Sequence, residues 1–214
     1  MEAKIRNNMI KKKVGIIDYG MGNLKSIQNS LDYLGVKNEL TTNAKYLSKY
    51  SHIILPGVGS FKKAIKNLKS NGMFESIIKI SKKKYILGIC LGMQLLFSSS
   101  TEEGYSKGLE IINGKVEKFS FKETKKLKIP HVGFNEISFD KKNIFFKDIN
   151  NGSDFYFDHS YRITEFDKNI NSAKSNYGVN FLSAFSMNNI YGAQFHPEKS
   201  QSNGLLLIRN FIKN

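Results

Sequence analysis

The sequence predicts an α/β fold in which a mostly parallel, open sheet is flanked by helices. Short apolar runs typical of buried strands alternate with amphipathic helical segments in the N-terminal half, and this alternation indicates a parallel sheet covered on both faces. Beyond about residue 108 the segments are consecutive strands joined by turns. We therefore expect an added antiparallel β region in the C-terminal half.

The individual elements follow from apolar spacing and from turn residues. Gly35 marks the end of the first helix, and Ser60 is a suitable N-cap for the second. In the N-terminal half we expect strands at residues 14–18, 36–42, 52–55 and 85–89, and helices at 24–34, 61–68 and 73–82. In the C-terminal half we expect strands at 109–112, 116–121, 132–139, 154–161, 181–186 and 190–195, then a helix at 204–212.

The chain shows no internal repeat and no low-complexity linker. We expect a single domain over residues 13–214, preceded by a disordered or loosely attached leader at residues 1–12. The leader is basic and lacks the apolar segment of a secretory signal, and no run approaches the length of a membrane span. With a single cysteine, no internal disulfide can form. A cytoplasmic protein without membrane attachment is therefore expected.

The formal net charge of +15 raises the question of nucleic-acid binding. Only Arg6, Arg162 and Arg209 are arginines among the 33 basic residues, and the lysines are spread along the whole chain. Proteins that read nucleic acid commonly use arginine forks and clustered basic patches. The charge is better explained by a general compositional bias, and we expect no nucleic-acid partner.

The only cysteine, Cys90, lies in the segment GICLGMQ, between an apolar run and an apolar helical stretch. Gly88 stands two residues before it and Gly92 two residues after it. This is the cysteine version of the G-x-S-x-G nucleophile elbow, a sharp strand-to-helix turn that exposes one side chain. A lone cysteine beside an apolar run can also be a small core residue, so the partners of Cys90 decide between the two interpretations.

A cysteine nucleophile needs a base and a group that orients the base. Of the four histidines, His52 opens a buried strand and is expected to be structural, while His131 is compatible with either role. His196 follows the strand at residues 190–195, where the active site of a parallel sheet lies. Glu198, two residues later, is placed to fix the tautomer of His196. The sequence thus predicts Cys90, His196 and Glu198 as a catalytic set.

With these motifs together, the chain resembles the class I (triad-type) glutamine amidotransferases, whose fold is flavodoxin-like. More narrowly, it resembles the glutaminase (HisH-type) subunits of imidazole glycerol phosphate synthase. The resemblance covers residues 13–213 and is carried by IIDYGMGNLKSIQNSLDYLG (16–35), LPGVGSF (55–61), IPHVGFN (129–135), YFDHSY (156–161) and FHPEKSQSNGLLLIRNF (195–211).

The resemblance implies an activity and roles for individual residues. Cys90 would attack the side-chain amide of L-glutamine, His196 would act as acid and base, and Glu198 would orient His196. The ammonia would pass to a (β/α)8-barrel cyclase (HisF-type) in a heterodimer that forms imidazole glycerol phosphate and AICAR in histidine biosynthesis. No cofactor or metal is implied. The further residues implied are Gly57, Val58, Gly59 and Leu91 for the oxyanion hole, Gln94, His159, Ser160 and Tyr161 for substrate, and Asn23, Phe134, Asn135 and Lys199 for the partner interface.

Three departures from the family pattern leave alternatives open. Phe134 stands where the family usually has Trp, Gly108-Leu109-Glu110 stands where GLG is usual, and Asp158 stands where a small apolar residue is common. None belongs to the expected triad, but all could alter the partner surface. One alternative is a paralogous subunit that supplies ammonia for an amidino sugar of a surface polysaccharide. Others are a cysteine hydrolase with another substrate and a catalytically silent scaffolding subunit.

Overall fold

The computed structural model describes residues 12–124, 127–139 and 143–214. The predicted leader, apart from residue 12, lies outside the described residues. The central element is an eight-stranded sheet. Its strands are β1 (Lys13–Ile17), β2 (Lys37–Thr41), β3 (His52–Leu55), β4 (Tyr85–Ile89), β9 (Ser138–Phe139), β12 (Asn171–Tyr177), β13 (Val179–Met187) and β14 (Ile190–Ala193). Their order across the sheet is β2-β1-β3-β4-β14-β13-β12-β9.

The first five strands of that order, from β2 to β14, pair in parallel with one another. β13 pairs antiparallel with β14, and the last three strands pair antiparallel with one another. Counted along the chain, the parallel strands have the order 2-1-3-4-5, which is the flavodoxin-like order. The predicted α/β fold with a mostly parallel open sheet is therefore confirmed, and the antiparallel addition lies in the C-terminal half, as predicted.

Helices cover both faces of the sheet because its strands are apolar on both sides. One core cluster joins α1 (Leu24–Tyr33) and α5 (Gln201–Lys213) to one face, and a second joins α2 (Phe61–Ser70), α3 (Met73–Ser81) and α4 (Leu91–Leu95) to the other. In β1, Val14 and Ile16 belong to the first cluster and Ile17 to the second, which is the alternation expected of a strand. Among the described residues, no helix is long and apolar enough to cross a membrane.

Two smaller sheets accompany the large one. A ribbon pairs β8 (His131–Glu136) with β10 (Asp154–His159). The other sheet has four strands, namely β5 (Ser99–Ser100), β6 (Ser106–Lys107), β7 (Gly114–Lys118) and β11 (Tyr161–Phe166). Their order is β11-β7-β5-β6.

Three predicted strands differ from the structure, and β5, β6 and β12 were not predicted. The run at 132–139 is divided at Ile137, because β8 belongs to the ribbon whereas β9 pairs with β12 in the large sheet. The run at 154–161 is split at Ser160, because the chain leaves the ribbon after β10 and enters another sheet as β11. The run at 109–112 forms no strand: Leu109 and Ile112 are buried in the second core cluster, while the backbone N–H groups of residues 109–112 bond carbonyls at the end of α4 and just after it. The apolar residues of this segment are therefore explained by burial in the core, although the segment does not pair with another strand.

Candidate active site

Cys90 is the N-cap of α4 and sits directly after β4, so the predicted elbow is present. Its backbone has φ 54° and ψ −112°, a conformation unusual for a residue with a side chain. The turn is possible because its flanking glycines lack side chains. A Cβ at Gly92 would lie 1.8 Å from the Leu55 carbonyl oxygen, and one at Gly88 would lie 2.6 Å from the Gly92 carbonyl oxygen. The N–H of Cys90 donates to the Ala193 carbonyl at 2.7 Å, which ties the elbow to β14.

His196 and Glu198 follow the adjacent strand β14, so the sheet itself brings them to the elbow. His196 Nδ1 lies 2.8 Å from Glu198 Oε1, and the two side chains are 3% and 1% exposed. Glu198 belongs to a 3₁₀ turn, Pro197–Lys199, and Ser200 closes that turn by donating from Oγ to the His196 carbonyl at 2.6 Å. The N–H of His196 donates to the Tyr156 carbonyl at 2.8 Å, which fixes the histidine from the side of β10.

Electrostatics favour the charged form of His196. Burial alone lowers the pKa of His196. The electrostatic interaction and the hydrogen bond with Cys90, and those with the Glu198 carboxylate, raise this pKa to about 10. His196 therefore lies between Cys90 and the Glu198 carboxylate in surroundings that favour its charged form. A histidine that contacts a cysteine and is oriented by a carboxylate is the arrangement that can activate a cysteine nucleophile.

A cavity of about 440 Å³ lies beside Cys90, and all four residues predicted for substrate binding line it. Gln94 at 4% exposure has both amide hydrogens in use, one with the Tyr161 carbonyl and one with Gln194 Oε1, each at 3.0 Å. Only its oxygen remains free for a ligand. The predicted residues in the cavity wall are Val58, Gly59, Cys90, Leu91, Gln94, His159, Ser160, Tyr161, His196 and Lys199.

Of the predicted oxyanion-hole residues, Val58, Gly59 and Leu91 line the cavity and Gly57 is packed behind it. Leu91 is the first residue of α4, so its N–H has no acceptor within the helix. A Cβ at Gly57 would meet the Leu91 Cβ at 2.9 Å, so only glycine allows the two segments to approach this closely.

The structure also places five residues at this site that the sequence analysis did not select for it. Ser60, Glu102, Pro130 and Asp158 line the cavity. Gln194 is fully buried beside it, with Nε2 3.8 Å from Cys90 Sγ. Glu102 Oε2 accepts a bond from the Phe61 N–H at 2.8 Å, and burial raises the pKa of its carboxyl. Only the position of Gln194 two residues before His196 was a usable sequence signal.

Three of the four residues predicted for the partner interface lie toward one surface. The Phe134 and Tyr156 rings meet edge to face at 5.6 Å, and Lys199 Nζ lies 5.2 Å from the Tyr156 ring. Asn23 is the N-cap of α1, a helix that contacts the turn Pro197–Lys199. Asn135 differs, because neighbouring strand residues point to opposite faces. Its amide Nδ2 is directed into the protein, toward His131 Nε2 at 3.2 Å and the Asn176 carbonyl at 2.9 Å.

No group of three or more His, Cys, Asp or Glu side chains in the described part of the chain is arranged to hold a metal ion.

An elbow cysteine beside a histidine–glutamate pair, above a flavodoxin-like sheet, defines a triad-type amidotransferase site. The profile of the family described as "Glutamine amidotransferase class-I" matches residues 15–214, and this chain belongs to that family. It is 45% identical over 199 residues to the imidazole glycerol phosphate synthase subunit HisH of Caldanaerobacter subterraneus subsp. tengcongensis, covering 92% of this chain and 96% of the relative. It is 46% identical to the corresponding HisH 2 protein of Methanococcus maripaludis, covering 94% and 98%.

Solved structures show the same fold at lower identity. A crystal structure described as a glutamine amidotransferase superposes with a TM-score of 0.73 at 15% identity, covering 94% of this chain and 97% of the other. PurLQS from Thermotoga maritima gives 0.72 at 17% identity, with 95% and 98% covered. The resemblance and the fold class expected from the sequence are confirmed.

Proposed function

We propose that this chain is the glutaminase subunit of an imidazole glycerol phosphate synthase and works in the cytoplasm as a single domain spanning residues 13–214. It hydrolyses L-glutamine to glutamate and passes ammonia to a second protein chain. The observation that carries the proposal is the buried Cys90–His196–Glu198 arrangement beside a cavity of about 440 Å³. The relatives at 45% identity, which carry the name of that synthase subunit, support the pathway.

In the first half of the reaction Cys90 is the nucleophile and His196 carries the proton. The Cys90 thiolate attacks the side-chain amide carbon of glutamine and forms a carbon–sulfur bond, so the amide oxygen becomes an oxyanion. The N–H of Leu91 and an N–H of the Gly57–Gly59 segment are the donors that stabilise this charge. The tetrahedral intermediate collapses as the His196 imidazolium protonates the nitrogen, which leaves as ammonia.

The second half regenerates the enzyme. Neutral His196 removes a proton from water, and the hydroxide attacks the thioester carbonyl. Glutamate leaves as the carbon–sulfur bond breaks, and the thiolate is again paired with the imidazolium. Glu198 keeps Nδ1 of His196 protonated throughout, so that Nε2 is the atom that exchanges the proton.

The cavity wall suggests how glutamine is held. Both hydrogens on Gln94 Nε2 are already donated within the protein, so Gln94 Oε1 is the atom that can accept a hydrogen bond from the substrate's side-chain amide. Glu102 places a carboxylate in the same cavity, and one of its oxygens is engaged by the Phe61 N–H. The α-ammonium group of an amino acid is the natural partner of that carboxylate.

A partner chain follows from the chemistry of ammonia. Ammonia released into water at neutral pH is protonated and lost as a nucleophile, so the exit beside Cys90 must be covered during turnover. We infer that a (β/α)8-barrel cyclase (HisF-type) covers it, over the surface that carries Asn23, Phe134, Tyr156 and Lys199. Asn135 contributes to this surface only through its neighbours, since its amide is turned inward.

The direct test uses the single cysteine. Wild type and Cys90→Ala are compared for glutamate release, with and without the partner, and both are treated with a thiol-alkylating analogue of glutamine. We expect one label per wild-type chain, none on Cys90→Ala, and loss of at least about 10³-fold in hydrolysis. With ammonium salts in place of glutamine, Cys90→Ala should still support the partner's synthase reaction. A Cys90→Ala variant with wild-type hydrolysis would refute the mechanism, and a wild type that never releases glutamate would favour a scaffolding role.

A further inference from the structure

Two buried histidines outside the triad, His131 and His159, form a hydrogen-bonded pair beside the glutamine cavity. His131 Nδ1 lies 3.0 Å from His159 Nε2, and the residues are 3% and 6% exposed. Nδ1 of His159 lies 2.8 Å from the carbonyl oxygen of Tyr161. At the other end, His131 Nε2 lies 3.2 Å from Asn135 Nδ2. The four groups make a continuous chain from the edge of the ribbon to the cavity wall.

The direction of this chain is fixed by its last acceptor. A carbonyl oxygen cannot donate, so Nδ1 of His159 carries the hydrogen and its Nε2 presents a lone pair. His131 must then donate from Nδ1, which leaves its own Nε2 as the acceptor for Asn135. The second hydrogen of the Asn135 amide goes to the Asn176 carbonyl at 2.9 Å, and its oxygen accepts from the Glu136 N–H at 2.9 Å. Every polar atom of the Asn135 amide and of the two rings therefore has a partner.

Both histidines must be neutral for this arrangement, and their surroundings favour that state. Burial lowers the pKa of His131 to about 4. Burial, with a smaller part from the neighbouring His131 and His196, lowers the pKa of His159 to about 3. The His131 ring is sandwiched between aromatic side chains, at 4.8 Å from Phe157 and 4.1 Å from Tyr177.

The hydrogen-bond chain ends at the backbone of Ser160 and Tyr161, which forms part of the cavity wall. Ser160 is where the backbone crosses from the ribbon into the second sheet, and its carbonyl is held by the Phe119 N–H at 3.0 Å. The Tyr161 carbonyl accepts a hydrogen bond from His159 Nδ1 and another from Gln94 Nε2, the latter at 3.0 Å. Both ring nitrogens of His159 are occupied, so this residue has no hydrogen left for a ligand although it lines the cavity.

We propose that Asn135, His131 and His159 are positioning residues that set the Ser160–Tyr161 backbone, and with it Gln94, for glutamine binding. They act through the Tyr161 carbonyl and do not touch the reacting atoms. The inference rests on the proposed glutaminase function, because its kinetic consequence concerns glutamine. This hydrogen-bond chain shapes the wall that binds glutamine and leaves the triad in place. Breaking it should therefore raise KM for glutamine and leave kcat nearly unchanged.

Two substitutions at His131 separate hydrogen bonding from packing. His131→Phe keeps the aromatic stack but removes both nitrogens, so the lone pair of His159 Nε2 is buried without a donor. His131→Gln loses the stack but can donate to His159 and accept from Asn135. We expect KM for glutamine to rise about 10-fold in His131→Phe, with kcat within about twofold, and about threefold in His131→Gln. A packing role predicts the reverse order, with His131→Phe closer to wild type.

The tautomers give a readout that does not depend on activity. With ¹⁵N-labelled histidine in the full chain at pH 7, we expect both His131 and His159 to be neutral with the hydrogen on Nδ1, which is the less common tautomer of free histidine. An Nε2–H tautomer at either residue, or a smaller KM effect for His131→Phe than for His131→Gln, would overturn the proposal. A wild type with no glutaminase activity alongside its partner would defeat the proposed function instead, and the tautomers would still decide the hydrogen-bond chain.

Discussion

Nε2 of Gln94 donates a hydrogen bond to Oε1 of Gln194 at 3.0 Å, across a sequence separation of 100 residues. Gln194 in turn directs its own Nε2 to Cys90 Sγ at 3.8 Å. The elbow helix and the strand that leads to His196 are thus joined by an amide pair, as well as by the backbone bond from Cys90 to Ala193. The nucleophile is oriented from both strands that carry the triad.

Replacing Gln194 by Leu should therefore destabilise the protein and disturb the position of the Cys90 side chain. The substitution leaves a buried N–H of Gln94 without an acceptor, which costs about 1–3 kcal/mol in the free energy of unfolding. It also removes the side-chain donor that faces Sγ, so glutaminase activity should fall. Urea unfolding and steady-state kinetics measure the two effects.

A matched control is Gln28→Leu, since Gln28 is only half-buried and its bond to Asn38 is long, at 3.4 Å. We expect that variant to change the free energy of unfolding by less than about 0.5 kcal/mol. Equal stability losses for the two variants would contradict a special role for the buried pair.

The histidine–glutamate pair should show unequal losses on substitution. His196→Ala removes the group that moves every proton, so kcat should fall by at least about 10³-fold. Glu198→Gln keeps the size of the side chain but removes its charge, so orientation is partly retained and a smaller loss is expected, with KM for glutamine nearly unchanged. The matched control Glu165→Gln breaks an exposed pair with Lys115 and should leave activity unaltered.

The same pair gives a signed prediction for titration. Glu198 stabilises the imidazolium, so Glu198→Gln should lower the pKa of His196 below its wild-type value of about 10. NMR titration of the ring carbon resonances measures that pKa. An unchanged His196 titration in Glu198→Gln would show that the carboxylate does not hold the charge.

Local motifs explain which parts of the site the sequence reveals. The elbow needs glycines at fixed offsets from Cys90, and a histidine followed two residues later by a glutamate can pair within one turn, so both are legible without a structure. Glu102 meets the Phe61 N–H across 41 residues, and no local pattern marks such a contact. The division at Ser160 was equally hidden, because β10 and β11 are both regular strands and only their partners differ.

The two faces of β8 show a feature that the alternation of side chains along a strand could have predicted. Phe134 is exposed, while the Asn135 amide is turned inward, as strict alternation along a strand requires. Assigning both side chains to one partner surface conflicts with that alternation. The sequence alone could have separated them once residues 131–136 were accepted as a strand.

The partner surface is tested by Lys199→Ala and Phe134→Ala. Both residues contact Tyr156 beside the cavity, and the substitutions should weaken binding of the barrel protein and reduce its stimulation of glutamine hydrolysis. Hydrolysis, binding titrations and the synthase reaction can be measured on the same preparations. Lys37→Ala on the edge strand β2 is the control with the same charge change, and it should behave as wild type. Indistinguishable binding by all three variants would place the partner elsewhere.

The excess of lysine should not produce specific nucleic-acid binding. Any association with DNA should be independent of sequence and should disappear by about 200 mM salt, because it depends on counterion release. Fluorescence anisotropy with two unrelated duplexes at several salt concentrations measures this. A preference for one duplex that persists at the higher salt would show that +15 serves nucleic-acid recognition after all.

His52 should make the protein sensitive to acid far from the active site. It is 1% exposed, stacks on Tyr85 at 4.7 Å, and its Nε2 has no hydrogen-bond partner within the described residues. Burial, with a smaller part from the charge of Lys12, lowers the pKa of His52 from 6.5 to about 4. Between those two values the unfolded chain binds the proton and the folded chain does not. Stability therefore falls as the pH drops from 6.5 toward 4.

His52→Phe should remove this contribution and keep the packing. The new ring can stack on Tyr85 and contact Phe211, and Ser51 Oγ retains its bond to the Lys13 carbonyl at 3.3 Å. We expect the free energy of unfolding to match or exceed that of wild type at pH 7, and to decline less steeply below pH 6.5. Carboxylates and the buried pair His131 and His159 titrate in both proteins, so the difference between the two curves isolates His52. Urea unfolding at half-unit steps from pH 4 to pH 7 measures it, and parallel curves over that range would show that His52 is not the acid-sensitive group.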